Sequence, residues 1–274
     1  MEELIKDILS KKELRNLDTS IVEEFLKDFL DKNRKVKSNL EEKKFNKRSE
    51  EYKQTVKEVR RKLREIYGVF IDENYSKKEH LLKNLNRRNE KETVEKILKL
   101  HTSTNERLPY YKEVYQKIFK ITGRKKIILD LACGLNPLSY KFLGYKPVKY
   151  IASDISSEDL KFIALFFKKM KISGKTIKID LVREQEKLQG LKAGICFMFK
   201  TLDSLETQKK NTSRTLIDTI NAEWIVISFP KTSLGGYKTI KKSKRQWFVN
   251  FLKHNNHKHQ SFETLNEFFF VIEK

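Results

Sequence analysis

Apolar positions recur at helical spacing through the first hundred residues and at strand spacing after them. Ile5, Ile8 and Leu9 make one stripe, and Ile21, Val22, Phe25, Leu26 and Phe29 make a second. Tyr52, Val56, Val59, Leu63 and Ile66 continue in steps of three and four until Gly68 stops the run. Leu81, Leu82 and Leu85, then Val94, Ile97 and Leu98, add two shorter stripes. This period, with no Pro before Pro109, predicts a bundle of about five helices joined by short links.

The pattern then changes. Ile127–Pro137 is an apolar run that closes on Ala132, Cys133 and Gly134 before Asn136-Pro137. It reads as the first strand of an open sheet with a ligand loop at its carboxyl end. Gly134 lets backbone approach a ligand where a Cβ would intrude. The run lacks the second and third glycines of a dinucleotide fingerprint. Further strand-like runs follow at Tyr150–Ile155, Thr176–Leu181, Ile195–Thr201 and Glu223–Pro230. Helical segments such as Ser157–Lys169 and Asp203–Thr219 separate them, and Phe262–Leu265 with Phe268–Glu273 read as a closing hairpin. Strands alternating with helices imply a parallel sheet covered on both faces. The fold class is therefore α/β, with an all-helical domain over residues 1–100 and the sheet domain over 101–274.

Charge adds a partner. The chain of 274 residues is 38% apolar, enough for a core, yet 35% charged with a formal net charge of +22. Such a surface attracts polyanions: RNA, DNA or an anionic membrane. Lys enrichment also arises from genome composition or a hot habitat. Between residues 31 and 64, fourteen Lys and Arg, Lys43 and Lys44 among them, face six acids. These make either a solvated helix face or a phosphate-binding surface. Residues 237–258 carry Lys241, Lys242, Lys244 and Arg245 among seven cations with no acid, interleaved with Trp247, Phe248 and Phe251 as the buried stripe of a helix. His254, His257 and His259 lie close together without a Cys or carboxylate partner, so no metal site is expected. No apolar run is long enough to cross a bilayer, and the start is acidic and amphipathic, unlike a signal peptide. Cys133 and Cys196 form no disulfide framework, which points to a reducing cytoplasm.

Two carboxylates fall at successive strand ends. Asp154 lies 24 residues beyond Asp130. An acid there can accept both hydroxyls of a ribose, and Asp180 at the next strand end can accept an adenine amino group. Asp is also a common turn residue. Ahead of the sheet, His101-Thr-Ser-Thr-Asn-Glu-Arg107 packs hydrogen-bonding groups just before Pro109 begins a helix. These groups suit helix capping or a ligand at the sheet edge.

Five parallel strands and a closing hairpin resemble the class I methyltransferases, which use S-adenosylmethionine. The segments HTSTNERLPYY, DLACGLNPL, SDI, DL, FKTLDSLETQ and SFPKTSLGG, in this order, resemble the 16S ribosomal RNA guanine-N7 methyltransferases of aminoglycoside resistance. The likeness covers roughly 95–274, with LREIYGVF at Leu63–Phe70 as its best echo in the helical part. It implies that His101, Ser103 and Arg107 lie at the methionine end of the cofactor, with Arg107 pairing the carboxylate. It sets Gly134 against the cofactor, Asp154 on the ribose, and Asp180 with Leu181 around the adenine. Phe199, Gln208 and Phe70 complete the implied contacts. Lys231-Thr232 and Tyr237 depart from the usual family residues in the loop expected to face the target.

Guanine N7 holds an in-plane lone pair and no proton, so its methylation needs no general base. The fourth strand ends in Phe199-Lys200-Thr201-Leu202, unlike the Asn/Asp-Pro-Pro-aromatic motif suited to exocyclic amines. Lys200 is the candidate for contact with guanine O6 or a phosphate, or else a lysine snorkelling from a strand end. Phe229, Ser233, Gly235 and Gly236 are expected to shape the base pocket, with Phe229 either stacking on the base or filling the core. The implied partner is 16S rRNA within the small subunit, met by a monomer. Methylation at adenine N1, action on another RNA, or non-catalytic RNA binding are the alternatives.

Overall fold

A computed structural model describes residues 1–232, 239–240 and 245–274. Six α-helices precede residue 100, where about five were expected: α1 (Glu2–Leu9), α2 (Thr19–Lys32), α3 (Arg34–Glu42), α4 (Glu50–Ile66), α5 (Lys77–Asn84) and α6 (Glu90–Leu98). The longest, α4, starts where the Ser49 hydroxyl accepts from the Tyr52 N–H at 3.3 Å, with Glu50 and Glu51 in its first turn. That side-chain cap and the acids satisfy the helix dipole and an exposed N–H. Next come α7 (Thr102–Arg107) and α8 (Tyr111–Thr122), which ends at Gly123 with φ +68.

The sheet contains five parallel strands: β1 (Ile127–Leu131), β2 (Lys149–Asp154), β3 (Gly174–Lys178), β4 (Ala193–Phe199) and β5 (Ala222–Pro230). The hairpin of β6 (His259–Glu263) and β7 (Glu267–Glu273) completes it, with β7 antiparallel beside β5. The order is β3-β2-β1-β4-β5-β7-β6. The direction of winding reverses between β1 and β4, and ligands of such sheets bind outside the carboxyl ends there. The helices α9 (Ser157–Met170), α10 (Leu202–Gln208), α11 (Thr212–Thr219) and α12 (Gln246–His254) cover the two faces.

Alternation along the strands builds the two layers. Ile195, Phe197 and Phe199 of β4 pack with α5, α6, α8 and α9, whereas Cys196 and Met198 pack with α10, α11 and α12. The side chains of α1–α4 form a third cluster of their own, from Leu4 to Tyr67. Those of α5 and α6 share the sheet's cluster, because Leu82, Val94, Ile97 and Leu98 turn toward it. No described helix is long and apolar enough to cross a membrane.

Several element boundaries differ from the sequence expectation: β6 runs His259–Glu263 where Phe262–Leu265 was expected, and β4 starts and ends two residues early. β3 begins at Gly174, paired with Tyr150, and leaves the sheet after Lys178, so Asp180 lies in the turn beyond the strand end. The helix expected over 203–219 is two helices, broken where Asn211 adopts a left-handed φ of +66.

At Gly174 an added Cβ would stand 2.1 Å from Cδ2 of Phe167, a ring only 2% exposed. Gly174→Ala should therefore destabilise the fold by about 1–3 kcal/mol through overpacking. Urea denaturation checks this, and an unchanged midpoint would contradict it.

Candidate active site

A cleft opens at the carboxyl ends of β1, β2 and β4, and its empty space, mouth included, is about 920 Å³. Ile66, Ile155, Ile179, Leu181, Val182 and Leu205 supply apolar wall. Polar groups converge from β1, β2, α7 and α9. The chain turns sharply after β1, with Ala132 at φ +48 and Gly134 at φ +47. A Cβ on Gly134 would come 2.8 Å from His101 Nε2, so only glycine fits without shifting that ring.

The Gly134 N–H donates to Asp154 Oδ2 at 2.9 Å, and the Ser156 N–H donates to Oδ1 at 3.1 Å. Burial nevertheless pushes the Asp154 carboxyl up to about 6, helped by the negative charge of Asp159 and opposed by those backbone donors. Asp130 is pushed up to about 7 by burial, against hydrogen bonds from Tyr150 at 2.6 Å and Asn136 at 2.9 Å. These shifts are what loss of water does to a carboxylate.

Beside Gly134, His101 stacks on Phe70 with ring centres 5.5 Å apart and planes within 5°. Burial lowers its imidazole to about 4, so the ring is neutral at physiological pH. Arg107 is 1% exposed. Its Nη2 donates to Glu267 at 2.9 Å and to Ser103 Oγ at 3.2 Å, and its Nη1 donates to Asn136 at 3.3 Å. Its guanidinium lies 4.5 Å from the centre of the Phe199 ring. His101 Nδ1, Arg107 Nε and Gln208 Oε1 are buried with no hydrogen-bond partner among the described residues. A mostly apolar cleft with a few convergent polar atoms is the usual form of a small-molecule site. Its donors and acceptors suit a molecule that carries a base, a ribose and a carboxylate.

Lys200 sits beside this arrangement at φ +57, held by its N–H to the Ser228 carbonyl at 3.0 Å. Its ammonium pairs with Glu106 and lies 3.8 Å from Glu267 Oε1.

A family model for ribosomal RNA methyltransferase (FmrO) matches residues 34–251. The chain belongs to this family. A 16S rRNA (guanine(1405)-N(7))-methyltransferase of Micromonospora echinospora is 31% identical over 228 residues, which span 80% of this chain and 82% of that one. A like-named protein of Proteus mirabilis is 31% identical over 202 residues, 67% of this chain and 70% of its own. Among solved structures, the 16S rRNA methyltransferase RmtF in complex with S-adenosyl-L-homocysteine superposes with a TM-score of 0.77 at 22% identity, covering 100% of this chain and 97% of that one. The 16S rRNA methylase RmtB gives 0.74 at 22% identity, over 100% of this chain and 98% of its own. These two share the class I methyltransferase fold with the helical part in front.

In this ribosomal RNA methyltransferase the cleft gathers Phe70, His101, Ser103, Arg107, Gly134, Asp154, Asp180, Leu181, Phe199, Lys200 and Gln208. Asp180 serves the turn as well, accepting from the Val182 N–H at 2.8 Å and from Arg183 Nη1 at 2.8 Å.

Two expected target-facing residues are corrected. Phe229 has no exposed surface and packs edge-on against Phe248 and Phe270, so it fills the core of the far face instead of stacking on a base. Arg245 is 6% exposed, holds both oxygens of Asp203 at 2.6 Å and lies over the Phe229 ring, so its charge is already spent. Lys43 is exposed and paired with Glu51 at 2.8 Å, and Lys44 is exposed at the end of α3. Ser233, Gly235, Gly236, Lys241, Lys242 and Lys244 lie outside the described residues.

Sequence reasoning missed Glu267, Asp159, Tyr67 and Lys78. The available signals were an acid opening the apolar run of β7 and a Ser-x-x-Asp cap at Ser156–Asp159.

The neutral state of His101 is directly testable. Its imidazole resonances should stay those of the neutral ring from about pH 8 down to about pH 5 in a histidine-selective NMR titration. A midpoint near the ordinary 6.5 would contradict the burial described here.

Proposed function

We propose that this enzyme transfers the methyl group of S-adenosylmethionine to N7 of a guanine in the decoding region of 16S rRNA. It acts as a monomer in the cytoplasm on the assembled 30S subunit, and the modification confers aminoglycoside resistance. The observation that carries this reading is the convergence of Asp154, Arg107 and Gly134 in one cleft of an rRNA methyltransferase chain.

When bound, the cofactor supplies an electrophilic methyl on a sulfonium. Asp154 accepts the ribose hydroxyls, and the Gly134 backbone lies against the cofactor. Arg107 faces the carboxylate, using donors that Glu267, Ser103 and Asn136 leave unspent, with His101 beside it. Asp180, Leu181 and Gln208 enclose the adenine, and Phe199 and Phe70 close the slot. Lys200 lies at the strand exit, and its buried ammonium must leave Glu106 to reach guanine O6 or a phosphate. N7 needs no deprotonation, so the chain contributes placement and electrostatics.

The helical part, residues 1–100, docks the RNA. Lys11, Lys47, Lys53, Lys57, Arg60, Arg61 and Arg64 line one groove between α1 and α4 with Asp7 and Glu65, and Lys47, Lys53, Arg61 and Arg64 also pair with Glu3, Glu50, Glu58 and Glu13 at the surface. A basic groove tracks phosphates, so shape and charge supply affinity while the cleft selects the base.

Purified enzyme, labelled S-adenosylmethionine and either 30S subunits or naked 16S rRNA test the reading, with the product mapped by cleavage at N7-methylguanine. One modified guanine in the decoding region of the 30S subunit is expected. Label on adenine N1 or on another RNA would overturn the target, and no cofactor binding would favour a non-catalytic RNA-binding protein.

Asp154 gives a pH dependence whose sign follows from its raised carboxyl. The ribose favours the ionised acid, so S-adenosylhomocysteine affinity should be full above about pH 7 and fall toward tenfold per unit below about pH 6. Calorimetric titration reads this directly. Affinity that stays flat down to about pH 5 would remove Asp154 from the role.

A further inference from the structure

Three side chains of the helical part converge on one carboxylate of the sheet part. Asp159, in the first turn of α9, is 1% exposed. Its Oδ2 accepts from the Tyr67 hydroxyl at 2.8 Å. Its Oδ1 accepts from the Tyr75 hydroxyl at 2.8 Å and from the Lys78 ammonium. Lys78 is itself fully buried, with its ammonium 3.9 Å from the centre of the Tyr75 ring and 5.4 Å from that of Phe162. The donors lie 92, 84 and 81 residues away in the chain.

Asp159 is free for this task because α9 is capped without its carboxylate. The Ser156 hydroxyl accepts from the Asp159 N–H at 3.2 Å, and the Ser156 N–H goes to Asp154. In a full capping box the acid would return to that N–H. The positive end of the α9 dipole still favours the charge of Asp159.

Tyr67 and Asp159 both line the cleft. Tyr67 follows directly on α4, and the short 3-10 turn after it carries Phe70, which stacks on His101. Ile71 bridges to His101 through the backbone. The aromatic wall of the cleft is thus built by Tyr67 and Phe70 of the helical part, with His101 stacked on Phe70 from the start of the sheet part, and Tyr67 ties it to Asp159.

We propose that Asp159 is a positioning residue for methyl transfer: with Lys78 it holds the wall of Tyr67, Phe70 and His101 in register with the cofactor site. This rests on reading the cleft as that site. A buried ion pair adds little net stability, and apolar side chains of similar volume often replace it at no cost. It gives geometry instead, since three donors and two oxygens are satisfied in one arrangement. Loss of the cluster should therefore show in binding by a folded protein, beyond the stability lost through the stranded tyrosine hydroxyls.

The test compares wild type, Lys78→Met/Asp159→Leu and Tyr67→Phe in thermal unfolding, S-adenosylhomocysteine calorimetry and steady-state methyl transfer. The double variant leaves the Tyr67 and Tyr75 hydroxyls without an acceptor, so it should unfold about 5–15 °C below wild type yet remain folded at about 25 °C, where binding is read. It should bind S-adenosylhomocysteine about tenfold more weakly, as couplings carried through packed networks do, with the loss in KM for S-adenosylmethionine exceeding that in kcat. Tyr67→Phe keeps the ring, and its affinity should fall about threefold with a melting temperature lowered by about 2–6 °C. A folded double variant that binds as wild type does would overturn the proposal. If the double variant does not fold, unchanged affinity in Tyr67→Phe overturns it. A wild type that binds no S-adenosylhomocysteine overturns the reading of the cleft itself, and the proposal with it.

Discussion

A carboxylate taken out of water must be met by donors or cations, or it gives up its charge. Asp130, Asp154, Asp159 and Glu267 stand at one end of this sheet, and none is more than 8% exposed. Each is met differently. Tyr150 and Asn136 hold Asp130, two backbone N–H groups hold Asp154, and Arg107 with Ser228 holds Glu267. Asp159 draws its partners from the helical part. Placing α7, β7 and the chain after α4 is thus largely a matter of answering these four charges. The same loss of water that requires partners also raises Asp130 and Asp154 toward neutrality, giving a site whose polarity responds to pH.

The helical part and the sheet also meet through exposed pairs. Lys178 reaches Asp18 at 2.5 Å, and Arg183 reaches Asp28 at 2.6 Å. Pairs in water are worth little individually. The dry cluster at Asp159 has the greater say over geometry, because a partner lost there leaves a charge stranded in the interior. The outward face of α1 and α4 keeps its cations at the surface, where they attract a polyanion without disturbing the core. One set of helices therefore presents charge outward and a fixed aromatic wall inward.

Much of this was legible in the chain because it is local. Apolar runs marked the five parallel strands and β7 but missed most of the polar β6, and spacing from Asp130 to Asp154 placed the second carboxylate at its strand end. Resemblance in short segments then named residues that the fold brings into one cleft. What stayed hidden depends on pairing across distance. No periodicity joins Asp159 to Tyr67 or Arg107 to Glu267, which is 160 residues away. Basic composition also misled at Arg245, since a count of cations does not show that Asp203 already holds one of them. Phe229 carried two readings, and its strand parity decides for the core: Ile225, Ile227 and Phe229 all face α12 and its neighbours. Asp180 was placed at a strand end because an apolar run looks the same in its last paired residues and its first unpaired ones.

The most direct measurement is a crystal structure of the protein with S-adenosylhomocysteine. The account predicts the ribose hydroxyls on Asp154, the carboxylate facing Arg107, and the adenine between Leu181 and Gln208, with Tyr67 still hydrogen-bonded to Asp159. A ligand lodged elsewhere, or a cleft that binds it only after the Asp159 cluster has come apart, would contradict it.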